Sequence, residues 1–143
     1  MNESRRTIIL KPGIYDEKFF KKQKISKVGN SWDCDIMGEN HVKIKMDCLS
    51  VTGFIYLGNY ATAGDLEAGE SITLGENADT EDLKSKESIA VGSNSDILDI
   101  VAKDNVILGN KVEAFEIMAG GRVQVGNDCI LTSISSKLNV TIG

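Results

Sequence analysis

Hydrophobic residues recur with a period of 17 residues over most of the chain. An aliphatic-x-aliphatic-Gly pattern occurs six times at that spacing, and Ile, Leu or Val fills both aliphatic positions in every copy. The glycines that close the six copies are Gly58, Gly75, Gly92, Gly109, Gly126 and Gly143. Self-similarity at a fixed period is the signature of repeat architectures, so the sequence predicts a stack of similar structural units.

Within each repeat, six uncharged columns are separated by 2, 4, 2, 3, 2 and 4 residues. A gap of two places both side chains on one face of a β-strand, so each repeat predicts three short strands joined by three corners. Stacked repeats would form three parallel sheets around a narrow core, with successive rungs roughly 4.8 Å apart. The sequence therefore predicts an all-β fold, a triangular β-solenoid with 17-residue rungs.

Two columns are restricted to small residues. The glycine column predicts a corner at which φ is positive. The column ten residues after the glycine predicts a tight inward corner, in which a large residue would overpack the core. That second column holds only Ala or Ser, at Ala68, Ser85, Ala102, Ala119 and Ser136.

The repeat fades towards the N-terminus. Residues 42–51 keep the alternation of apolar and polar positions, but His41 stands where the repeat calls for a glycine. Before it lie the one proline and the one tryptophan of the chain, Pro12 and Trp32. We therefore expect residues 1–41 to form a lead-in segment or cap without rungs, and residues 42–143 to form the solenoid domain.

Composition and charge limit the classes of function that the chain could have. The formal net charge of −5 gives no general case for binding nucleic acid, although residues 1–53 carry a net +3 and residues 54–143 a net −8. Three cysteines make a poor disulfide framework, which indicates a reducing, cytoplasmic setting. The N-terminal apolar run is too short for a signal peptide, and no stretch reaches the length of a membrane span.

The solenoid region resembles the bactofilins, the polymer-forming cytoskeletal proteins of bacteria. The resemblance covers roughly residues 42–143 and rests on the rung motif, as in Ile55-Tyr56-Leu57-Gly58 and Ile72-Thr73-Leu74-Gly75, and on small or acidic turns such as residues 63–69. It implies a right-handed parallel β-helix that polymerises through its ends without a nucleotide. It also implies an association with membranes through an N-terminal tail. The expected function is thus a structural, self-assembling scaffold.

An enzymatic alternative is a hexapeptide-repeat acyltransferase, which is also a β-solenoid. That family has an apolar-Gly step about every six residues and uses a histidine as general base, whereas here the step occurs once per 17-residue rung. The one histidine, His41, lies at the ragged start of the repeat. We therefore expect no enzyme activity, no catalytic residue and no cofactor.

Two places in the sequence contain residue types that could bind a metal ion. Cys34, His41 and Cys48, with Asp33 or Asp47, are ligand types that zinc accepts, but their spacing matches no familiar pairing. Acidic turns could attract calcium, yet they lack the glycine-rich nonapeptide of calcium-binding β-helices. We expect no metal site at either place. The acidic turn residues are Asp79, Glu81 and Asp82.

A lysine-rich segment with two phenylalanines precedes the repeats. Basic and aromatic residues together suit an anionic membrane surface, so this segment is the candidate for membrane or partner contact. The alternative that we favour is a solvated segment that packs Phe19 on the first rung and does not contact a membrane. The candidate residues are Lys18, Phe19, Phe20, Lys21, Lys22 and Lys24.

The C-terminal rung is the candidate surface for self-association. Leu138, Val140 and Ile142 make it more apolar than the rungs before it, and a solenoid end exposes strand edges that template pairing with another chain. The expected partner is a second copy of the chain. The alternative is a binding rod that does not polymerise, which predicts a face rich in aromatics or threonines, whereas the sequence offers only Tyr56, Tyr60 and Phe115.

Overall fold

The chain folds as a stack of short β-strands, in which each rung lies against the rung before it in the sequence. The computed structural model describes residues 5–143, so residues 1–4 of the N-terminal segment lie outside the described part. One sheet has eight strands, all parallel, and runs along the whole stack. In spatial order this first sheet contains β1 (Arg6–Leu10), β5 (Cys34–Gly38), β8 (Ile55–Leu57), β10 (Ile72–Leu74), β12 (Ile89–Val91), β14 (Val106–Leu108), β16 (Val123–Val125) and β18 (Val140–Ile142).

A second sheet of eight strands forms another face of the stack. Its strands are parallel except for the first two, which form a short antiparallel pair. In order along the stack, this sheet contains β3 (Lys27–Val28), β4 (Ser31–Trp32), β7 (Cys48–Val51), β9 (Asp65–Ala68), β11 (Leu83–Ser85), β13 (Asp99–Ala102), β15 (Glu113–Ala119) and β17 (Ile130–Ser136).

The strand register has the period of the sequence repeat. Ile72 pairs with Ile89 in the first sheet, and Leu83 pairs with Ile100 in the second. All four of these side chains are completely buried. The predicted β-solenoid with 17-residue rungs is therefore confirmed, because each inward column packs on itself from rung to rung.

The third face is less regular than the predicted third sheet. It begins as a two-stranded sheet of β2 (Gly13–Asp16) and β6 (Val42–Lys45), and continues with one isolated bridge per rung, from Lys43 through Thr62 to Glu113. The prediction of a continuous sheet on this face was wrong. Each rung enters the face through a residue with φ near 60°, which turns the chain at that corner. These residues are Tyr60, Asn77, Asn94, Lys111 and Asp128.

The repeat glycines are required for close packing, not for positive φ, so the prediction about their backbone was wrong. Among residues 5–143, only Gly13 and Gly29 are glycines with positive φ. A Cβ on Gly92 would lie 2.5 Å from the carbonyl carbon of Gly75 and 2.6 Å from its oxygen. Backbone atoms of successive rungs therefore approach at this column too closely for any side chain.

Side chains at the corners form hydrogen-bond ladders from rung to rung. The side-chain oxygen of Asn59 accepts from the backbone N–H of Glu76 at 2.8 Å, one rung further along the chain. Similar bonds join Asn110 to Asn127 N–H at 2.8 Å. These ladders satisfy corner N–H groups that the sheets leave without a strand partner. Further members of the ladders are Asn40 with Asn59, Asp65 with Asp82, Asp82 with Asp99, Ser93 with Asn110 and Asn105 with Arg122.

The N-terminal segment is built into the solenoid. We expected no rungs in residues 1–41, but β1 and β5 are the first two strands of the first sheet. Between them lies a single helix, α1 (Glu17–Lys22), whose first turn is capped by Asp16 accepting from Phe19 N–H at 3.1 Å. These strands lie outside the 17-residue repeat, although β5 pairs with β1 on one side and with β8 on the other.

Candidate assembly surface at the last rung

The last rung is the most exposed part of the solenoid core. Val140 and Ile142 occupy the columns in which Val123 and Val125 are 1% exposed, yet they are themselves 44% and 64% exposed. Leu138 beside them is 60% exposed. In the described structure, these apolar side chains have one neighbouring rung instead of two.

The interior of the solenoid opens to solvent at this end. An open depression of about 430 Å³ is lined by Leu131, Ile134 and Ile142, together with polar groups of the same rung. Leu131 and Ile134 pack against the core but are only partly buried. The depression therefore exposes apolar side chains of the last rung beside polar ones, and a second surface placed on it would cover those apolar side chains.

The opposite end of the solenoid is closed. Ile8 and Leu10 on the first strand are 5% and 0% exposed, although their rung also has a single neighbour. Phe20 of α1 is completely buried, and Ile25 behind it is nearly so. Both belong to the same hydrophobic core cluster as Ile8 and Leu10. The helix and the turn after it thus cover the core at this end.

A charged cluster fixes the first strand to the rungs that follow. The Arg5 guanidinium lies 3.1 Å from Asp35 Oδ1 and 2.8 Å from Glu70 Oε2. Asp35 also accepts from the backbone N–H of Phe54 at 3.1 Å. Because Asp35 is buried, these partners offset the cost of removing its carboxylate from water. The closed end is thus held by ion pairs as well as by apolar packing.

The lysine-rich segment presents its charges and hides one of its aromatics. Lys18, Lys21, Lys22 and Lys24 are exposed. Phe20 is completely buried, and Phe19 is partly buried with its ring centroid 5.1 Å from that of Phe20. Phe20 therefore serves the core and is not placed to contact a membrane, which corrects its inclusion in the candidate surface. Lys21 Nζ lies 3.6 Å from Glu17 Oε2, so the lysines without a carboxylate contact among residues 5–143 are Lys18, Lys22 and Lys24.

His41 lies on the surface and is engaged with an aromatic ring. Its imidazole stacks on the ring of Tyr60, with centroids 4.8 Å apart and planes 3° from parallel. Both residues have φ near 60° and stand at the same corner of adjacent rungs. Their stacking is a contact within the chain, and it gives His41 no partner of the kind that orients a general base.

The cysteines do not gather into a metal centre. No group of three or more His, Cys, Asp or Glu side chains in residues 5–143 is arranged to hold a metal ion. Burial, and then the charge of Asp35, raises the pKa of the Cys34 thiol to about 11. Partial desolvation also raises the pKa of Cys48, although its side chain is exposed. Both shifts favour the protonated thiol, which is a weaker nucleophile than the thiolate.

The remaining candidate residues are distributed along the rod. Asp79 lies on the third face, where it forms one of the inter-rung bridges, and Asp82 belongs to a corner ladder. Tyr56 lies on the first sheet near the Tyr60 corner, whereas Phe115 lies far along the rod on β15. Phe115 is 53% exposed. The three aromatics of the alternative binding rod thus do not share one face.

One feature of the outer surface was missed by the sequence analysis. The outward column of the first sheet contains no charged residue over its full length, although the chain is 26% charged. The signal was present at the middle position of the rung motif, where no repeat has a charge. We call this column the sheet-1 stripe; it consists of Ile9, Met37, Tyr56, Thr73, Ala90, Ile107, Gln124 and Thr141.

No helix within residues 5–143 has the length and apolar character needed to cross a membrane. Comparison with family models, with curated proteins and with solved structures found no match to this chain.

Proposed function

We propose that the chain is a structural scaffold that assembles with copies of itself through the last rung of its solenoid. The observation that carries this proposal is the contrast between the ends. The core is covered by Phe20 at the first rung and open to solvent at Ile142 on the last. This is also the class of function that the resemblance to bactofilins implies.

Apolar burial would drive the association. A second copy placed on the last rung would remove Leu138, Val140 and Ile142 from water, at roughly 25 cal/mol per Å² of apolar surface buried. The free edges of β17 and β18 would at the same time gain backbone hydrogen bonds, as exposed strand edges do when they pair. The two effects act on the same surface and favour the same partner.

The different ends favour pairing of last rung with last rung. A head-to-tail contact would press the open rung against α1, which carries exposed lysines and has its apolar side turned inwards. A contact between two last rungs places apolar surface against apolar surface. Such an interface is self-complementary, as two-fold dimer interfaces are.

The test is sedimentation velocity of the wild type and Val140→Lys over a range of concentrations. A lysine in the contact would be desolvated without a partner, so the variant should shift to smaller species. Ser135→Lys is the matched control, because Ser135 is exposed on the same rung but faces outwards on the second sheet. It should sediment as the wild type does.

Equal size distributions for the wild type and Val140→Lys would contradict the last rung as an assembly surface. A wild type that stays monomeric throughout would favour the alternative, a binding rod that does not polymerise. Circular dichroism should show the same β structure in all three proteins, since the variants change one exposed side chain and leave the other rungs intact.

A further inference from the structure

We propose that the sheet-1 stripe is a second self-association surface, through which two rods pack side by side. This inference goes beyond the end joint and does not depend on it. The stripe is a flat outer face of a parallel sheet, and its large members are well exposed: Tyr56 is 43% exposed and Ile107 is 49% exposed.

Charge is the first reason why the occupant is a second copy. Residues 54–143 carry a net charge of −8, so most approaches of one rod to another are opposed by repulsion. The outward column of the third face contains Lys43, Asp79, Asp96 and Glu113, and that of the second sheet contains Glu67 and Lys84. The stripe has no charge at any rung. It is therefore the long face whose central column two copies can bury without removing a charged side chain from water.

Shape is the second reason. The stripe has small residues at its centre, Thr73 and Ala90, with the large side chains of Tyr56 and Ile107 on either side of them. Two rods packed antiparallel about this centre would place Thr73 against Ala90, and Tyr56 of each copy against Ile107 of the other. The small side chains at the centre allow the two sheets to approach closely. Because both copies have the same spacing between rungs, each rung of one copy faces a rung of the other along the contact.

The area of the stripe sets the strength of the contact. Eight strands at roughly 4.8 Å spacing, each about three residues wide, give a strip about 34 Å long and about 10 Å wide. The area of this strip, the product of those two lengths, is less than the roughly 800 Å² that each partner buries in a standard complex. We therefore expect a weak contact that forms at high protein concentration.

The test uses the Val140→Lys background, so that any remaining association arises away from the last rung. In that background, Ile107→Lys is compared with Val101→Lys by sedimentation equilibrium up to high concentration. Val101 is the matched control because it is also an exposed aliphatic residue, but it faces outwards from the second sheet. Ile107→Lys should raise the dissociation constant by about tenfold or more, since it places an unpaired charge in an apolar contact. Val101→Lys should leave it unchanged.

The proposal is overturned if the Val140→Lys protein remains monomeric at every concentration, or if Ile107→Lys and Val101→Lys associate equally well. Failure of the end joint has a different signature, which is identical behaviour of the wild type and Val140→Lys. Added salt provides a second readout. It should strengthen the contact between the stripes, because it screens the repulsion between acidic rods while leaving the apolar contact in place.

Discussion

At the scale of single residues, the rung is defined by how closely backbones can approach. The repeat glycines have ordinary φ values, and the left-handed conformation falls two positions later, on residues such as Asn94 with φ of 61°. Glycine is thus selected by contact between rungs, whereas the turn itself is made by Asn, Lys, Asp and Tyr. The close approach of the rungs and the left-handed turn thus involve neighbouring residues, but they are two separate physical requirements.

Gly92→Ala should therefore destabilise the protein by about 1–3 kcal/mol through overpacking against the backbone of Gly75. Urea unfolding measures the change. Asn94→Gly is the control, because glycine adopts the left-handed conformation without a steric penalty, and its effect should stay within about 0.5 kcal/mol. Equal stability of Gly92→Ala and the wild type would show that the rungs can separate at this corner.

The buried thiol of Cys34 makes stability depend on alkaline pH. Its pKa is about 11 in the folded protein and 9.0 in the absence of its surroundings, so the thiol ionises more readily when the chain unfolds. This contribution to stability is complete below pH 9 and is lost as the pH rises towards 11. Between pH 8 and 10.5, the wild type should lose about 2 kcal/mol more than Cys34→Ala does. Urea midpoints at the two pH values measure the difference, and parallel losses in both proteins would contradict it.

At the scale of the element, each short strand is stabilised by its column and by its corner. Strand β13 shows both. Ala102 is buried in the small inward column, while the side chain of Asp99 lies at a corner with its Oδ1 buried and without a hydrogen-bond partner among the described residues. The two side chains lie on the same four-residue strand but contribute very differently to stability.

Ala102→Phe should cost roughly 1–3 kcal/mol, because the corner has no space for a ring. Asp99→Ala should change stability by no more than about 0.5 kcal/mol, since it removes an acceptor that has no partner and keeps the backbone N–H bonded to Asp82. Thermal unfolding compares the two variants. If Ala102→Phe is as stable as Asp99→Ala, the column does not face a tight corner.

The columns could be predicted from sequence because a strand places alternate side chains on one face, and every rung repeats that constraint. The closed end could not be predicted from the sequence. Phe20 plugs the core from a six-residue helix that has no repeat to mark it, and its neighbouring lysines suggested a surface segment. The reason for the glycines was also hidden, because a close approach and a positive φ both select glycine. The sheet-1 stripe was visible in the sequence but became meaningful only once its residues were shown to face outwards in one line.

At the scale of the whole molecule, the rod has two unlike ends, and one of its long faces contains the uncharged sheet-1 stripe. Its first rung is covered by α1 and fastened by Arg5, while its last rung leaves Ile142 and Leu138 in water. In a repeat fold, each rung is stabilised by its neighbours, so a rung with one neighbour is the least stable part. The structure therefore predicts a gradient of local stability along the rod.

Hydrogen exchange should reveal this gradient. At low protein concentration, amides of β18 should exchange fastest among the strands of the first sheet, and amides of β10, β12 and β14 should exchange slowest. Raising the concentration should protect β18 in the wild type but not in Val140→Lys, because the end contact covers that strand. Protection of β18 equal to that of β12 in the dilute protein would mean that the last rung is not open.

The corner ladders have a consequence for how the chain is made. Asn59, Asp65 and Asn110 each accept from a backbone N–H that lies 17 residues later in the chain. A ribosome releases the acceptor before the donor, so each completed rung already presents the groups that receive the next. The segment that covers the core, with Phe20, also precedes the repeats in the sequence and so emerges before them. We expect the protein to fold during synthesis, with the N-terminal plug formed early and the rungs added in the order in which they are translated.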